Sequence, residues 1–259
     1  MPKLNRDGVE IYYEIHGEGP PLLLSHGYSA TSQMWRGQVG PLSENWKVIV
    51  WDMRGHGRSD YPEDQALYSE EATVADMAAL LDAAGAKRAI VGGLSLGGYM
   101  SLAFHLVHSE RVRALLIIDT GPGYRNDEAR AGWNANALRT ADRYESDGLG
   151  RLQRGTAEMR LAEHRSADGL AHAARGMLAQ RDARVIDSLP SIKVPALVVV
   201  GSEDKPFLAA SDYMATKIAG AKKAVIEGAG HAANMDQPEA FNSALLGFLK
   251  SEKLDRLET

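Results

Sequence analysis

The chain has 259 residues, of which 44% are hydrophobic and 24% charged, the balance of a folded globular domain rather than a disordered chain. It contains no cysteine, which excludes disulfides, thiolate metal sites and a cysteine nucleophile. The formal net charge of −5 argues against a nucleic-acid partner, and no apolar run approaches the roughly 18 residues that a membrane span needs. Residues 1–10 are polar and lack the apolar centre of a signal peptide, so we expect a cytoplasmic protein that binds neither nucleic acid nor membrane.

Short apolar segments recur along the chain and predict the strands of a sheet. The first, 9–15, roughly alternates apolar and polar residues, which is typical of a half-exposed antiparallel strand at a sheet edge. The later segments are apolar throughout, as expected for parallel strands that are buried on both faces. These segments are 22–24, 48–50, 89–91, 115–118 and 197–200.

Helical periodicity appears between the predicted strands. Segments 73–84, 96–108 and 241–249 have apolar residues at helical spacing, and strands that alternate with helices predict an α/β fold with a mostly parallel sheet covered on both faces. Residues 125–189 interrupt this alternation, because they are rich in Ala, Arg, Glu and Asp and contain no predicted strand. We therefore divide the chain into a core, 1–124 and 190–259, and a helical insertion, 125–189, expected to form a cap over the strand ends.

The pattern Gly-Leu-Ser-Leu-Gly at 93–97 predicts a nucleophilic serine. It follows an apolar strand and opens a helix, and this context makes a Gly-x-Ser-x-Gly pattern specific. The turn should hold Ser95 in a strained backbone conformation, with glycine at positions 93 and 97 because side chains there would collide with their neighbours. Ser95 is therefore the predicted nucleophile, at the N-terminus of a helix whose dipole favours negative charge.

A serine hydroxyl needs an adjacent base, and the base needs an acid that fixes its tautomer. Five histidines follow Ser95 in the chain: His105, His108, His164, His172 and His231. The first two lie on the helix that leads away from the serine, and the next two lie in the helical insertion. His231 lies in a glycine-rich loop after the strand-like segment 224–226, and we predict that it is the base.

The acid should follow the strand that precedes this loop. Asp204 follows segment 197–200 through a Gly-x-x-Asp turn and is the predicted acid. Two alternatives remain open at this point: Glu203 is its neighbour in sequence, and Asp119 ends the strand 115–118.

Acyl transfer also requires hydrogen-bond donors for the oxyanion. The backbone N–H of Leu96, directly after the nucleophile, is the first predicted donor, and the N–H of Tyr28, in the loop after strand 22–24, is the second. The rings of Tyr28 and Trp35 are candidates for lining the substrate pocket, although both could equally be core aromatics. His26 is expected to hold this loop by hydrogen bonds.

Five segments together resemble the α/β-hydrolase superfamily, in particular its single-domain serine hydrolases with a helical cap. They are 25–28, 52–59, 93–98, 201–204 and 228–231. The resemblance implies an eight-stranded, mostly parallel sheet, a triad of Ser95, Asp204 and His231, and no metal or cofactor. It implies no chemistry for His56, which lies in a structural turn.

Family members with an aspartate nucleophile, the dehalogenases and epoxide hydrolases, do not fit Ser95. The chain resembles carboxylesterases, and we expect hydrolysis of small-molecule carboxylic esters with small to medium acyl groups. Enol-lactonases, carbon–carbon bond hydrolases of aromatic catabolism and cofactor-free haloperoxidases use the same triad and remain alternatives. The surface of a cap can also join two copies of a chain, which leaves a homodimer open.

Overall fold

The computed structural model describes residues 3–256. Residues 1–2 and 257–259 lie outside the described part. The predicted core and the polar N-terminal segment both include some of these residues. Within that part, eight strands form one sheet in the spatial order β1-β2-β4-β3-β5-β6-β7-β8. The strands are β1 Lys3–Arg6, β2 Val9–His16, β3 Pro21–Ser25, β4 Lys47–Trp51, β5 Ala89–Leu94, β6 Val112–Ile118, β7 Ala196–Gly201 and β8 Lys222–Ile226.

The sheet is parallel from β4 through β8 and antiparallel at the β1–β2 and β2–β4 pairs. All the apolar segments predicted as strands belong to it. The prediction for β2 is wrong in one respect: the strand is antiparallel, but β1 covers its outer side and forms the edge. Alternating apolar and polar residues indicate which face of a strand is buried, but they do not indicate how many strands pair with it.

Helices cover both faces of the sheet, as predicted for an α/β protein. Within residues 3–256 the α-helices are α1 Arg36–Ser43, α2 Glu70–Ala83, α3 Leu96–Val107, α4 Asp127–Asp147, α5 Ala157–Leu161, α6 Ala167–Ala173, α7 Arg184–Ser188, α8 Lys205–Lys217, α9 Ala233–Asp236 and α10 Pro238–Ser251. One apolar core joins the sheet to α2, α3 and α8, and a second joins the opposite face to α1 and α10. None of the helices in the described part is long and apolar enough to cross a membrane.

The connection from β6 to β7 contains helices only. Residues 119–195, all of them described, form α4 to α7 together with short 3₁₀ turns and one π-helical turn, Ala174–Leu178. The π-turn is closed by a hydrogen bond from the Ala179 N–H to the Ala174 carbonyl, five residues back. Gly176 fits here because a Cβ at this position would collide with the Tyr68 carbonyl oxygen.

Candidate active site

The turn between β5 and α3 presents Ser95 in a strained conformation. Its backbone angles are φ 54° and ψ −116°, a region that costs a non-glycine residue about 1–3 kcal/mol. The Ser95 N–H donates to the Ile118 carbonyl (2.9 Å), and Thr120 Oγ1 donates to the Ser95 carbonyl (2.7 Å). A Cβ at Gly97 would collide with the Ser25 carbonyl oxygen, so the turn requires glycine there, as the sequence indicates.

The side chains of His231 and Asp204 form a hydrogen-bonded pair. His231 Nδ1 lies 2.8 Å from Asp204 Oδ2, and the Asp204 side chain is almost fully buried. A proton on Nδ1 therefore donates to the carboxylate and leaves Nε2 as the free base nitrogen. The neighbouring Glu203 is exposed to solvent and is not in this pair.

Two loops bring these residues together, one after β7 and one after β8. The Glu203 N–H donates to the Ala229 carbonyl (2.9 Å), and the Gly228 N–H donates to Ser202 Oγ (2.9 Å). A Cβ at Gly201 would collide with the carbonyl oxygens of residues 229 and 230. The close approach of the two loops thus depends on the absence of a side chain at Gly201.

Two opposing effects set the proton affinity of His231. Burial disfavours the charged imidazolium, but the hydrogen bond and charge of Asp204, with smaller contributions from Glu158 and Asp119, outweigh it. The pKa of His231 is therefore raised above its ordinary value of 6.5. Such an imidazole takes up a proton readily, as a general base must.

Asp119 lies near the same pair but has a different environment. Its Oδ1 accepts the Gly201 N–H (2.8 Å), and its side chain is fully buried. Burial, with the charge of Asp204, raises the pKa of Asp119 to about 8, against the opposing hydrogen bonds and the charge of His231. Asp204, not Asp119, is the carboxylate that contacts the imidazole.

The loop after β3 passes directly beside Ser95. A Cβ built on Gly27 would lie 3.5 Å from Ser95 Cβ. His26 Nε2 accepts the Met53 N–H (2.9 Å), so Nδ1 carries the proton and donates it to the Gly27 carbonyl (2.7 Å). His26 thus holds the loop, as predicted. Because the peptide is trans, the Tyr28 N–H points away from the carbonyl that His26 binds.

The two aromatic candidates for the pocket lie elsewhere. The Tyr28 hydroxyl donates to the Leu170 carbonyl (2.7 Å), and its ring packs edge-on against Tyr144 and His56, toward the helical insertion. Trp35 is fully buried in the core on the α1 and α10 face. Neither ring is among the residues that line the cavity beside Ser95.

That cavity opens between Ser95 and the helical insertion. Its empty volume, measured out to the open mouth, is about 560 Å³. Phe207 forms part of its wall and also stacks on the His231 ring, with 5.2 Å between ring centroids. Most of the remaining wall is apolar and includes Leu96, Tyr99, Tyr124, Trp133 and Leu178.

Similarity to known proteins agrees with this geometry. A profile of the alpha/beta hydrolase fold family matches residues 20–182, more than half of the chain. The chain belongs to the α/β hydrolase family.

Three relatives of this α/β hydrolase span nearly its whole length. It is 29% identical to the 3-oxoadipate enol-lactonase 1 of Acinetobacter baylyi over 269 residues, which cover 95% of this chain and 96% of that protein. It is 31% identical to a putative carbamate hydrolase of Azorhizobium caulinodans, with 96% and 98% covered. Its fold matches a thermophilic esterase from Thermogutta terrifontis with a TM-score of 0.86 and 28% identity, over 97% of this chain and 99% of that one.

The α/β hydrolase also contains a cluster of three histidines outside the candidate triad. The ring of His56 contacts the rings of both His26 and His164. The centroid distances are 4.9 Å to His26 and 5.6 Å to His164. His164, from the helical insertion, accepts the Gly57 N–H on Nδ1 (3.0 Å) and donates from Nε2 to the Ser29 carbonyl (3.1 Å). These hydrogen bonds join the insertion to the loops of the core.

Residues 3–256 contain no group of three or more His, Cys, Asp or Glu side chains arranged to hold a metal ion.

The sequence did not indicate the cavity wall of this hydrolase. Thr120, Phe207 and Gln180 all line it, yet none belongs to a recognisable pattern. A weak signal existed for Thr120, which follows the end of β6, and for Phe207, which follows the predicted acid by three residues.

Proposed function

We propose that this α/β hydrolase is a serine hydrolase that cleaves carboxylic esters of small to medium acyl groups through an acyl-enzyme intermediate. One observation carries the proposal: Ser95, on its strained turn, lines a cavity whose wall residue Phe207 stacks on a histidine paired with a buried carboxylate. Neither the strain nor the buried polar pair contributes to packing, and both have a purpose in nucleophilic catalysis.

In the first half-reaction, Ser95 Oγ attacks the ester carbonyl carbon and His231 Nε2 takes its proton. Asp204 keeps the imidazole in the required tautomer and stabilises the imidazolium that forms. The tetrahedral intermediate then collapses, and His231 returns the proton to the departing alcohol. In the second half-reaction, the same imidazole activates a water molecule, which releases the acid and restores Ser95.

The negative charge on the substrate oxygen requires donors that are already in place. The backbone N–H of Leu96, at the start of α3, and that of Tyr28 are the proposed pair. The short distance from Gly27 to Ser95 supports the second donor, as does the hydrogen bond of His26 to the preceding peptide. Losing one such donor typically lowers the rate about 10²–10³-fold.

The helical insertion, residues 125–189, is the proposed cap. Three of its residues, Trp133, Leu178 and Gln180, line the cavity, which supports a role in setting the size of the substrate. A cavity of about 560 Å³ supports a substrate with a small to medium acyl group.

Hydrolysis of an enol-lactone is the second candidate. The similarity to the 3-oxoadipate enol-lactonase of Acinetobacter baylyi favours it, since a lactone is a cyclic ester and the same residues would cleave it.

Hydrolysis of p-nitrophenyl esters from acetyl to long acyl chains, by wild type and Ser95→Ala, tests the proposal. We expect wild type to turn over the short esters and Ser95→Ala to retain only the residual catalysis from binding, about 10³–10⁴ over water. If Ser95 reacts with a fluorophosphonate but no ester is cleaved, the nucleophile stands and the ester is the wrong substrate. Equal activity in the two proteins would overturn the serine mechanism.

A further inference from the structure

Three polar side chains in the cavity wall are committed to other protein groups. Thr120 Oγ1 donates to the Ser95 carbonyl (2.7 Å), the Tyr99 hydroxyl to Glu70 Oε2 (2.9 Å), and Trp133 Nε1 to the Leu178 carbonyl (2.8 Å). Each of these single donors is therefore used within the protein. None of them is left for a substrate.

Gln180 differs from these residues. Its side chain lines the cavity and only 7% of the residue is exposed, yet no donor in residues 3–256 reaches its Oε1. A buried carbonyl oxygen without a partner is unfavourable, and native proteins keep few of them. An oxygen of this kind in the wall of a substrate cavity indicates a hydrogen bond that a ligand completes.

The backbone around Gln180 is held firmly in place. The Gln180 N–H donates to Asn134 Oδ1, and Asn134 Nδ2 donates back to the Gln180 carbonyl, both at 2.7 Å. Opposite the carboxamide lies Gly123, at φ +91°, where a Cβ would come within 3.0 Å of Oε1. Glycine at this position leaves room around the carboxamide oxygen that any side chain would take.

The cavity wall carries no charged side chain among the described residues. Of the three cations adjacent in sequence to its lining residues, Arg125 is paired with Asp187, Arg181 is paired with Glu71, and Lys205 is exposed to solvent. A carboxylate placed in this cavity would lose its hydration without gaining a counter-charge, which is costly. The part of the substrate that enters the cavity is therefore uncharged.

We propose that Gln180 is a specificity-determining residue whose carboxamide binds a neutral hydroxyl or amide group of the substrate. The natural substrate is then an uncharged ester with one such group on an otherwise apolar chain. This inference rests on the proposed ester hydrolysis and narrows its substrate class. It also separates this protein from an enzyme that acts on a lactone bearing a free carboxylate.

Matched esters test this inference. On the acyl side, p-nitrophenyl esters of ω-hydroxy acids are compared with esters in which a methyl group replaces the hydroxyl. The acyl chains in this series have three to eight carbons. On the alcohol side, ω-hydroxyalkyl acetates are compared with alkyl acetates of equal length. An ω-carboxy ester completes each series.

In wild type we expect kcat/KM to favour the hydroxyl ester over its methyl counterpart by about tenfold in one of the two series, the effect of one neutral hydrogen bond. The carboxylate ester should be the poorest substrate. Gln180→Leu should abolish the hydroxyl preference, whereas Gln153→Leu, an exposed glutamine of the same insertion, should retain it. Circular dichroism and Tm confirm that each variant folds.

The outcomes separate the two proposals. If Ser95-dependent ester hydrolysis is found but Gln180→Leu leaves the preference unchanged, or the carboxylate ester is best, the role of Gln180 is wrong and the serine hydrolase stands. If no ester is cleaved, the proposed function fails. Calorimetric binding of ethyl 6-hydroxyhexanoate and ethyl heptanoate to Ser95→Ala, with and without Gln180→Leu, then tests Gln180 alone, and equal affinities would overturn it.

Discussion

The sheet and the helical insertion, residues 125–189, are stabilised by different kinds of contact. Each central strand buries aliphatic side chains on both faces, so that Leu22 and Leu23, neighbours in sequence, enter the two opposite cores. The insertion has a small apolar cluster of its own and adds Met177, Val185 and Leu189 to one of the two cores, but it also contacts the core loops through single hydrogen bonds. One is the bond from the Tyr144 hydroxyl to Ser29 Oγ, at 2.8 Å.

This difference concerns function directly. The candidate triad lies on turns at the ends of strands, and the apolar packing of the sheet fixes those turns. The wall of the cavity lies partly on the insertion, where hydrogen bonds between single side chains help to set its position. We therefore expect changes at the strand ends to abolish activity, and changes in the insertion to alter specificity and pH response.

The largest effect is expected from Asp204→Asn. An amide in place of the carboxylate favours the wrong tautomer of His231, and activity should fall about 10⁴-fold. Asp119→Asn is the matched control and should cost much less, because Asp119 accepts the Gly201 N–H, which an amide oxygen can also accept, and Asp204 is the residue paired with His231. Steady-state kinetics on a short ester measures both variants. A greater loss in Asp119→Asn would show that the acid is misassigned.

Gly201→Ala should come next. A Cβ at Gly201 forces apart the loops after β7 and β8, and a displacement of about 1 Å in a catalytic pair can lower activity about 10²-fold. Gly247→Ala, on an exposed part of α10 with nothing within 4 Å of the added carbon, should keep full activity and gain up to about 1 kcal/mol in stability. Wild-type activity in Gly201→Ala would mean that the loops do not depend on this close approach.

The insertion should respond to acid through His164. Burial lowers the pKa of His164 to about 4 from 6.5, so between these values the unfolded chain binds a proton that the folded chain does not. The contribution of neutral His164 to the free energy of unfolding is therefore fully present above about pH 6.5, and it declines as the pH falls toward 4. Wild-type Tm should drop over this range more steeply than that of His164→Gln, while His108→Gln, at the end of α3, controls for the loss of one histidine. Identical slopes in wild type and His164→Gln would contradict the prediction.

A smaller effect is expected from Glu158, a buried acid of α5 in the insertion. Its charge raises the pKa of His231, so Glu158→Gln should lower that pKa. Since the neutral imidazole is the active base, kcat/KM falls as the pH drops through the His231 pKa, and the acidic limb should move to lower pH in the variant. Glu163→Gln, an exposed residue nearby in sequence, is the control. An unmoved limb would mean that the insertion does not influence the base.

The sequence predicted the sheet well because each central strand is buried on both faces and therefore apolar throughout. It also predicted the pairing of His231 with Asp204, since chain order and glycine-rich loops limit where these side chains can lie. Ser95 followed from the glycines that its turn requires. All three predictions rest on local pattern and on the order of elements along the chain.

The sequence could not predict the cavity. Trp35 and Tyr28 seemed suited to line it as aromatics near the oxyanion loop, but Trp35 packs in the core and the Tyr28 ring faces the insertion. Gln180 had no signal, because its position depends on Asn134, 46 residues away in the chain. Contacts that depend on single side chains at long range leave no periodic trace in a sequence.

The π-turn at Ala174–Leu178 has an evolutionary consequence. It contains one residue more than an α-turn would, and it ends at Leu178, a residue of the cavity wall two positions before Gln180. Because the π-turn accommodates this extra residue locally, loss of a single codon here would convert it to an α-turn and leave the residues on either side in their positions. This segment of the gene could therefore lose one codon while the cavity wall and every residue of the candidate triad keep their positions.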